Sequence, residues 1–318
     1  MHESRYQNLQ RTDIWTTILI NNMSNLLAIA ILGGLGGMLG WGFADFFAKK
    51  TVDRLGDIKS LVWAHLFGVS IFILAALFQY AVTGHPISIP HGLKLWVGLA
   101  FFGGLQMLVY WLVYHGFSKG QLIVLNPIFA SYSGIVALIS IVFLHENPGY
   151  LAIVALLLIF SGILLMNLDL KGLGSKRINI VPGLSEMIAA SSLAAVWTLL
   201  WDRFVGGHNA LSFALFMYAF MTLAALILAR YKRISLAGTP KNLFRLLALI
   251  GLGEAVAYLS ISYGFSRTPY TSIVALVSGA FSLPAVVLGY RFLNERVSRT
   301  QVWAIAVIVA GIILVSVG

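Results

Sequence analysis

The sequence has no cysteine, which excludes disulfides, thiol catalysis and cysteine-ligated zinc. Charge is scarce as well. Asp, Glu, Lys and Arg make up 10% of the 318 residues, where soluble globular domains carry roughly 25%. Hydrophobic residues reach 59% and the mean hydropathy is +0.89. A soluble core could not hide that much apolar surface, so the solvent for most of the chain is lipid. The segments of about ten residues alternating apolar and polar that a membrane barrel needs are missing too. Acidic residues are the rarest charge, 11 against 21 basic, for a net charge of +10. On a soluble protein that excess would suggest nucleic acid. Here the basic residues sit between long apolar runs, where they meet anionic head groups, and no nucleic-acid partner is expected.

What is present is a series of apolar runs. Ten spans are predicted at 26–47, 60–82, 94–116, 121–144, 149–168, 182–204, 211–229, 243–265, 270–292 and 300–317. At 1.5 Å per residue such runs cross a hydrocarbon core of roughly 30 Å. The connections are short, and several carry breakers such as Gly84-His85-Pro86, Asn147-Pro148-Gly149 and Thr239-Pro240. Residues 1–25 form a polar tail without the features of a signal peptide, and Met23, just before the first apolar run, is a candidate start. The side holding the loops after spans 1, 3, 5, 7 and 9 carries 16 Lys and Arg, and the side with both termini carries 5. The positive-inside rule then places both termini outside.

The chain repeats itself. At an offset of 148, Gly103 pairs with Gly251, Gln106 with Glu254, Tyr110 with Tyr258, and Gly116-Phe117-Ser118-Lys119 with Gly264-Phe265-Ser266-Arg267. At an offset of 149, Phe143-Leu144-His145-Glu146 matches Phe292-Leu293-Asn294-Glu295, and Gly162-Ile163-Leu164-Leu165 matches Gly311-Ile312-Ile313-Leu314. Five spans per copy is an odd number, so the second copy enters the membrane from the opposite side. The predicted fold is an all-α membrane protein of ten transmembrane helices in two inverted five-helix repeats, 26–168 and 182–318, joined by a linker at 169–181.

These features resemble the drug/metabolite transporter superfamily, and within it the EamA-like ten-helix transporters. The resemblance rests on Trp41-Gly42 with Asp45 in the first span, the Phe-Ser-Lys/Arg turns, the span-ending Glu146 and Glu295, and Pro284 ahead of Glu295. Pro127 lies nearer the start of its span than the family pattern has it. The resemblance implies export or exchange of amino acids, drugs or other metabolites, often driven by the proton gradient. It also implies termini inside, against the charge count.

An ionisable group near the bilayer centre costs about 2.5–3.5 kcal/mol on insertion scales and reads as functional. Glu254 and its repeat partner Gln106 lie mid-span, with Tyr258 and Tyr110 four residues on and hence on the same faces. With Trp41, Tyr132 and Trp197 they make the candidate substrate-binding set. Glu254, Asp45, His65 and Glu186 are the proton-coupling candidates. Each has a plainer structural role available. Glu254 fits as a hydrogen bond between helices, and His65 and Glu186 as satisfied groups near helix ends. Asp45 and Asp202 suit pairing with Lys49 and Arg203, and Trp201 suits an interfacial aromatic belt. Asn126-Pro127 could line a cavity or kink its helix. Ser131, Ser278, Gly279 and Ser282 fit cavity contacts or small-residue packing equally.

Gly33, Gly34, Gly36, Gly37 and Gly40 follow no strand, so they read as close helix contact rather than a nucleotide loop. His145-Glu146 lacks a histidine at zinc-protease spacing. No cofactor and no metal are expected. The leading expectation is a secondary transporter, exporting or exchanging a small metabolite such as an amino acid across the cytoplasmic membrane, as a monomer or homodimer. The alternative is a membrane-embedded enzyme acting on a lipid or isoprenoid, which would need a cluster of catalytic groups at one membrane face.

Overall fold

The computed structural model describes residues 2–166 and 181–317, with side chains described over 25–166 and 181–315. The predicted linker at 169–181 lies outside the described residues except for its last position, and the side chains of the N-terminal tail through residue 24, Met23 included, are outside them too.

The described residues form twelve α-helices and one short 3-10 turn. They are α1 (His2–Leu55), α2 (Asp57–Thr83), α3 (Leu93–Phe117), α4 (Leu122–Ala130), α5 (Tyr132–Val142), α6 (Tyr150–Met166), α7 (Leu184–Val205), α8 (Ala210–Tyr231), α9 (Phe244–Arg267), α10 (Thr271–Gly279), α11 (Ser282–Phe292) and α12 (Arg299–Val317). Eight segments are long and apolar enough to cross a membrane, with α4–α5 and α10–α11 each counted as one. The two shorter apolar helices, α6 and α12, complete the predicted ten. The first span runs beyond its predicted end at 47 to Leu55, carrying Lys49, Lys50, Asp53 and Arg54 out of the apolar zone. It stops at Gly56, whose φ of 82° suits glycine best.

Spans 4 and 9 are broken, which no apolar pattern announces. The breaks fall at Ser131 and at Ala280-Phe281, which correspond at the repeat offset of 149. Pro127 lies inside α4, one turn before the first. Lacking an N–H, it cannot bond the carbonyl of Ile123 four residues back, and Gln301 Nε2 donates to that carbonyl instead at 3.3 Å.

Packing follows an inverted two-fold relation. A Cβ on Gly103 would come within 2.6 Å of Met217 O on α8, and one on its repeat partner Gly251 within 2.5 Å of Gly68 N on α2. A Cβ on Gly162 would meet Ile308 and the Ala304 carbonyl; one on Gly311 would meet Ile159 and the Ala155 carbonyl. Gly103 and Gly251 correspond at offset 148 and their contacts at 149, while Gly162, Gly311 and their contacts all correspond at 149. The glycines of the first span are likewise contact sites: Gly33, Gly36 and Gly40 lie against α9, and Gly37 against Ile261 and Ser278. Such close approach is how helices associate where lipid gives no hydrophobic drive between them.

Candidate functional site

The repeat partners meet at the centre of the molecule. α3 presents Gln106, Tyr110 and Tyr114 on one face, and α9 presents Glu254, Tyr258 and Ser262 on its equivalent face; all are buried. Gln106 Nε2 donates to Tyr258 Oη at 2.6 Å, and the Tyr110 and Tyr258 rings lie 6.2 Å apart. Glu254 is 0% exposed. It accepts hydrogen bonds from Tyr218 Oη of α8 and from Tyr114 Oη at 3.3 Å. His65 of α2, also 0% exposed, stacks on Tyr218 with centroids 5.3 Å apart. Its Nδ1 lies 2.7 Å from the Leu61 carbonyl. A carbonyl only accepts, so Nδ1 carries the hydrogen. That leaves Nε2, which has no hydrogen-bond partner, 4.0 Å from Glu254 Oε2.

A small cavity lies in front of this group. Trp41, Asp45, Gln106, Tyr110, Val113, Phe129, Tyr132, Ala194, Trp197, Thr198 and Phe281 line it. Its volume of about 20 Å³ has room for a water but not for an organic molecule, so this conformer is closed at its centre. Five of the seven candidate substrate-binding residues line it directly. Glu254 and Tyr258 stand behind, Tyr258 reaching the wall through its edge-on contact with Trp41 at 5.6 Å. Tyr132 stacks on Phe281 at 6.4 Å, and Phe281 is its partner at offset 149. The two broken spans thus touch at their breaks.

Other candidates are placed differently from expectation. Asp45 pairs with Asn126 Nδ2 at 2.7 Å, while Lys49 binds Asp53 at 2.6 Å. The full turn between Asp45 and Lys49 carries the lysine into the membrane-face pocket beside Ser118 and Glu295. Asp202 accepts from Thr271 Oγ1 at 3.0 Å. Trp201 is fully buried rather than interfacial, donating from Nε1 to Ser262 Oγ at 3.1 Å and stacking on Trp197 at 5.3 Å. Glu186 sits in the first turn of α7 at the membrane face, bound to Lys119 at 2.6 Å, and is not part of the buried group. His65 is about two turns into its helix, deeper than expected.

Sequence reasoning missed Tyr114, Tyr218, Phe129, Thr198 and Phe281. Two had a usable signal: Tyr114 continues the 106–110 face by one turn, and Phe281 is the repeat image of Tyr132.

The span-ending glutamates close the arrangement at opposite membrane faces. Glu295 accepts from the backbone N–H of Leu122 at 3.2 Å and of Ile123 at 3.0 Å, the first residues of α4. Glu146 accepts from Ser272 N at 3.0 Å and from Ser272 Oγ at the start of α10. Ile123 and Ser272 correspond at offset 149. Each carboxylate thus caps, across the repeat boundary, the free N–H groups of a half-helix whose other end lies at the cavity. Around Glu295 the open pocket is formed by the loops following spans 1, 3 and 9, and around Glu146 by those following spans 4, 6 and 8. That is the loop segregation an inverted five-plus-five topology demands. Burial pushes the Glu146 carboxyl up to about 7, against the Ser272 hydrogen bonds that pull it down.

The EamA-like transporter family matches residues 28–168 and again 181–317, one copy on each repeat. A search of curated proteins finds no relative of the sequence. A crystal structure described only as "Crystal structure of protein" superposes with a TM-score of 0.67 over 90% of this chain and 95% of its own, at 15% identity; at that identity the likeness establishes the fold.

Proposed function

This chain belongs to the EamA-like transporter family, and on that premise we propose that it is a secondary transporter that exports or exchanges a small organic metabolite by alternating access. Multiple apolar spans make it a multi-pass membrane protein; the cytoplasmic membrane is the proposed location. The observation that carries the mechanism is the pair of equivalent carboxylate caps. Each fixes the outer end of a half-helix whose inner end reaches the cavity. Releasing Glu295 would free α4 at one face, and releasing Glu146 would free α10 at the other. Two halves of like shape and opposite orientation can exchange these states, so one architecture serves both openings. The face around Glu295 holds Lys49, Lys119 and Arg296, and the positive-inside rule assigns it to the cytoplasm, with both termini outside.

We assign proton coupling to Glu254 with His65. The two stand buried together with one unpartnered nitrogen facing one carboxylate oxygen. A proton can rest on either, and one net charge that deep is costly enough to bias which state the halves adopt. Asp45 faces the cavity directly and serves the substrate.

The absence of cysteine makes a direct test available. Thr198→Cys places a thiol in the cavity wall, to be labelled in oriented vesicles by a membrane-impermeant thiol reagent. Alternating access requires labelling from both faces, with conditions that raise one rate lowering the other. Labelling confined to one face under every condition, or rising at both faces together, refutes it. In proteoliposomes Glu254→Gln should abolish substrate-driven proton movement, and unchanged proton movement removes the coupling assignment.

A further inference from the structure

The cavity has a marked chemical bias. Among the described residues, no Lys, Arg or His lines it. The nearest imidazole, His65, stands behind Tyr110 with ring centroids 5.4 Å apart, and its free nitrogen faces Glu254 rather than the cavity. The charged lining residue is Asp45, only 5% exposed, with one oxygen held by Asn126. Gln106 is turned so that its Nε2 is occupied by Tyr258 while its Oε1, buried, has no partner. Trp197 spends its N–H on the Phe102 carbonyl at 3.1 Å, and Thr198 spends its hydroxyl hydrogen on Ala194 O at 2.8 Å. Trp41 Nε1 is an unpartnered donor on the wall, and Tyr110 and Tyr132 add phenol hydroxyls. The remainder is aromatic: Trp41 lies edge-on to Phe281 at 6.1 Å, and Phe129 stands 5.6 Å from Phe281.

Such a wall offers acceptors, a carboxylate and ring faces. Each of these favours a positive charge. An entering carboxylate or phosphate would lose its water beside Asp45 and gain only an indole N–H and phenol hydroxyls, with no cation to pair it; unpaired buried charge is strongly unfavourable. We therefore infer that the cavity, once opened, selects organic cations without an anionic group: amines or quaternary ammonium compounds, with Asp45 as counter-charge and Gln106 Oε1 as the second acceptor. Zwitterionic amino acids are disfavoured, because their carboxylate meets Asp45 without a basic partner. The inference names the substrate class of the cavity and rests on the transport reading above.

Four matched probes test it on purified protein by calorimetric titration at pH 7.5: phenethylamine, phenylacetate, benzyl alcohol and phenylalanine. Phenethylamine should bind at least tenfold more tightly than phenylacetate or phenylalanine. Asp45→Asn should remove most of that preference and leave benzyl alcohol unaffected; Gln106→Met, which keeps the volume, should weaken phenethylamine several-fold and serves if Asp45→Asn does not fold. Phenylacetate binding as tightly as phenethylamine, a cation preference that survives Asp45→Asn and Gln106→Met, or no binding by any probe overturns the inference. Proteoliposome uptake of benzyltrimethylammonium, whose charge is permanent, separates the two readings. Cation binding without uptake overturns transport and leaves the selectivity standing. Uptake of phenylalanine with exclusion of benzyltrimethylammonium overturns the selectivity and leaves transport standing.

Discussion

The two membrane faces carry the same device in opposite surroundings. At one, Glu295 caps α4 in a pocket that also holds Lys49, Lys119 and Arg296. At the other, Glu146 caps α10 beside Asp202, which binds the adjacent Thr271, with Arg203 and His145 nearby. The backbone is the same to fine detail. His145 and Asn294, just before the two glutamates, both adopt left-handed conformations, at φ 55° and 56°. Glu146 N donates to Ser140 O and Glu295 N to Gly289 O, again an equivalent pair. Duplication has fixed the geometry, while the neighbouring charges have diverged. The skeleton should therefore respond alike at the two ends, and the caps should not.

The skeleton gives the largest expected effect. Gly162 and Gly311 occupy equivalent positions in the contact between α6 and α12, each against the other helix's alanine carbonyl and isoleucine. Gly162→Leu and Gly311→Leu should each destabilise the protein by about 1–3 kcal/mol through overpacking, and by similar amounts. Thermal unfolding in detergent measures both. A severe loss from one and none from the other would show that the two-fold relation does not extend to energetics.

The caps come next. Glu146→Gln and Glu295→Gln keep an acceptor and remove the charge, so each should cost about 1 kcal/mol at its own half-helix, in line with loss of a charged cap. Their pH dependence separates them. The Glu146 carboxyl is pushed up to about 7 by burial, from an ordinary value of 4.5. A raised acid contributes stability that is complete below the ordinary value and is lost as pH rises through about 7. Hydrogen exchange at the first turn of α10 should thus speed up as pH rises from about 4.5 to about 7, relative to Glu146→Gln at the same pH. Asp202 adds to the effect, as a second carboxylate facing the first across Thr271. An identical profile in wild type and Glu146→Gln would show that protonation of Glu146 does not govern release of α10.

Much of this was legible in the sequence, for a physical reason. Lipid requires long apolar runs, so the spans declare themselves. Duplication leaves fixed offsets, and those offsets paired Gln106 with Glu254 and Tyr110 with Tyr258 before any contact was known. Other features left no such trace. Apolar periodicity is weak in a helix that is apolar all round, so nothing in α8 says that Tyr218 faces Glu254 while Tyr231 is exposed. The breaks at Ser131 and Ala280 fall four residues away from Pro127 and Pro284, and neither site is a glycine or proline. Glu146 and Glu295 were visible as a motif, but a cap on the opposite repeat is a relation across more than a hundred residues. Trp201 resembled an interfacial residue because it lies near a helix end, and it is buried because α9 covers it.

The smallest effect tests the comparison most finely. Left-handed backbone is unfavourable for side chains that crowd the following carbonyl, and asparagine tolerates it better than most. The Glu295 face has Asn294 at that position, whereas the Glu146 face has His145. Both are exposed, so packing contributes little to either. His145→Asn should therefore stabilise the turn by a few tenths of a kcal/mol, roughly 0.5 kcal/mol at most, and Asn294→His should lose a similar amount. Equal and opposite shifts in unfolding temperature would show that the two turns are one conformation read by two residues. A loss from His145→Asn would instead mean that the imidazole interacts with the Glu146–Asp202 pair, and that the divergence of the two faces extends to this turn.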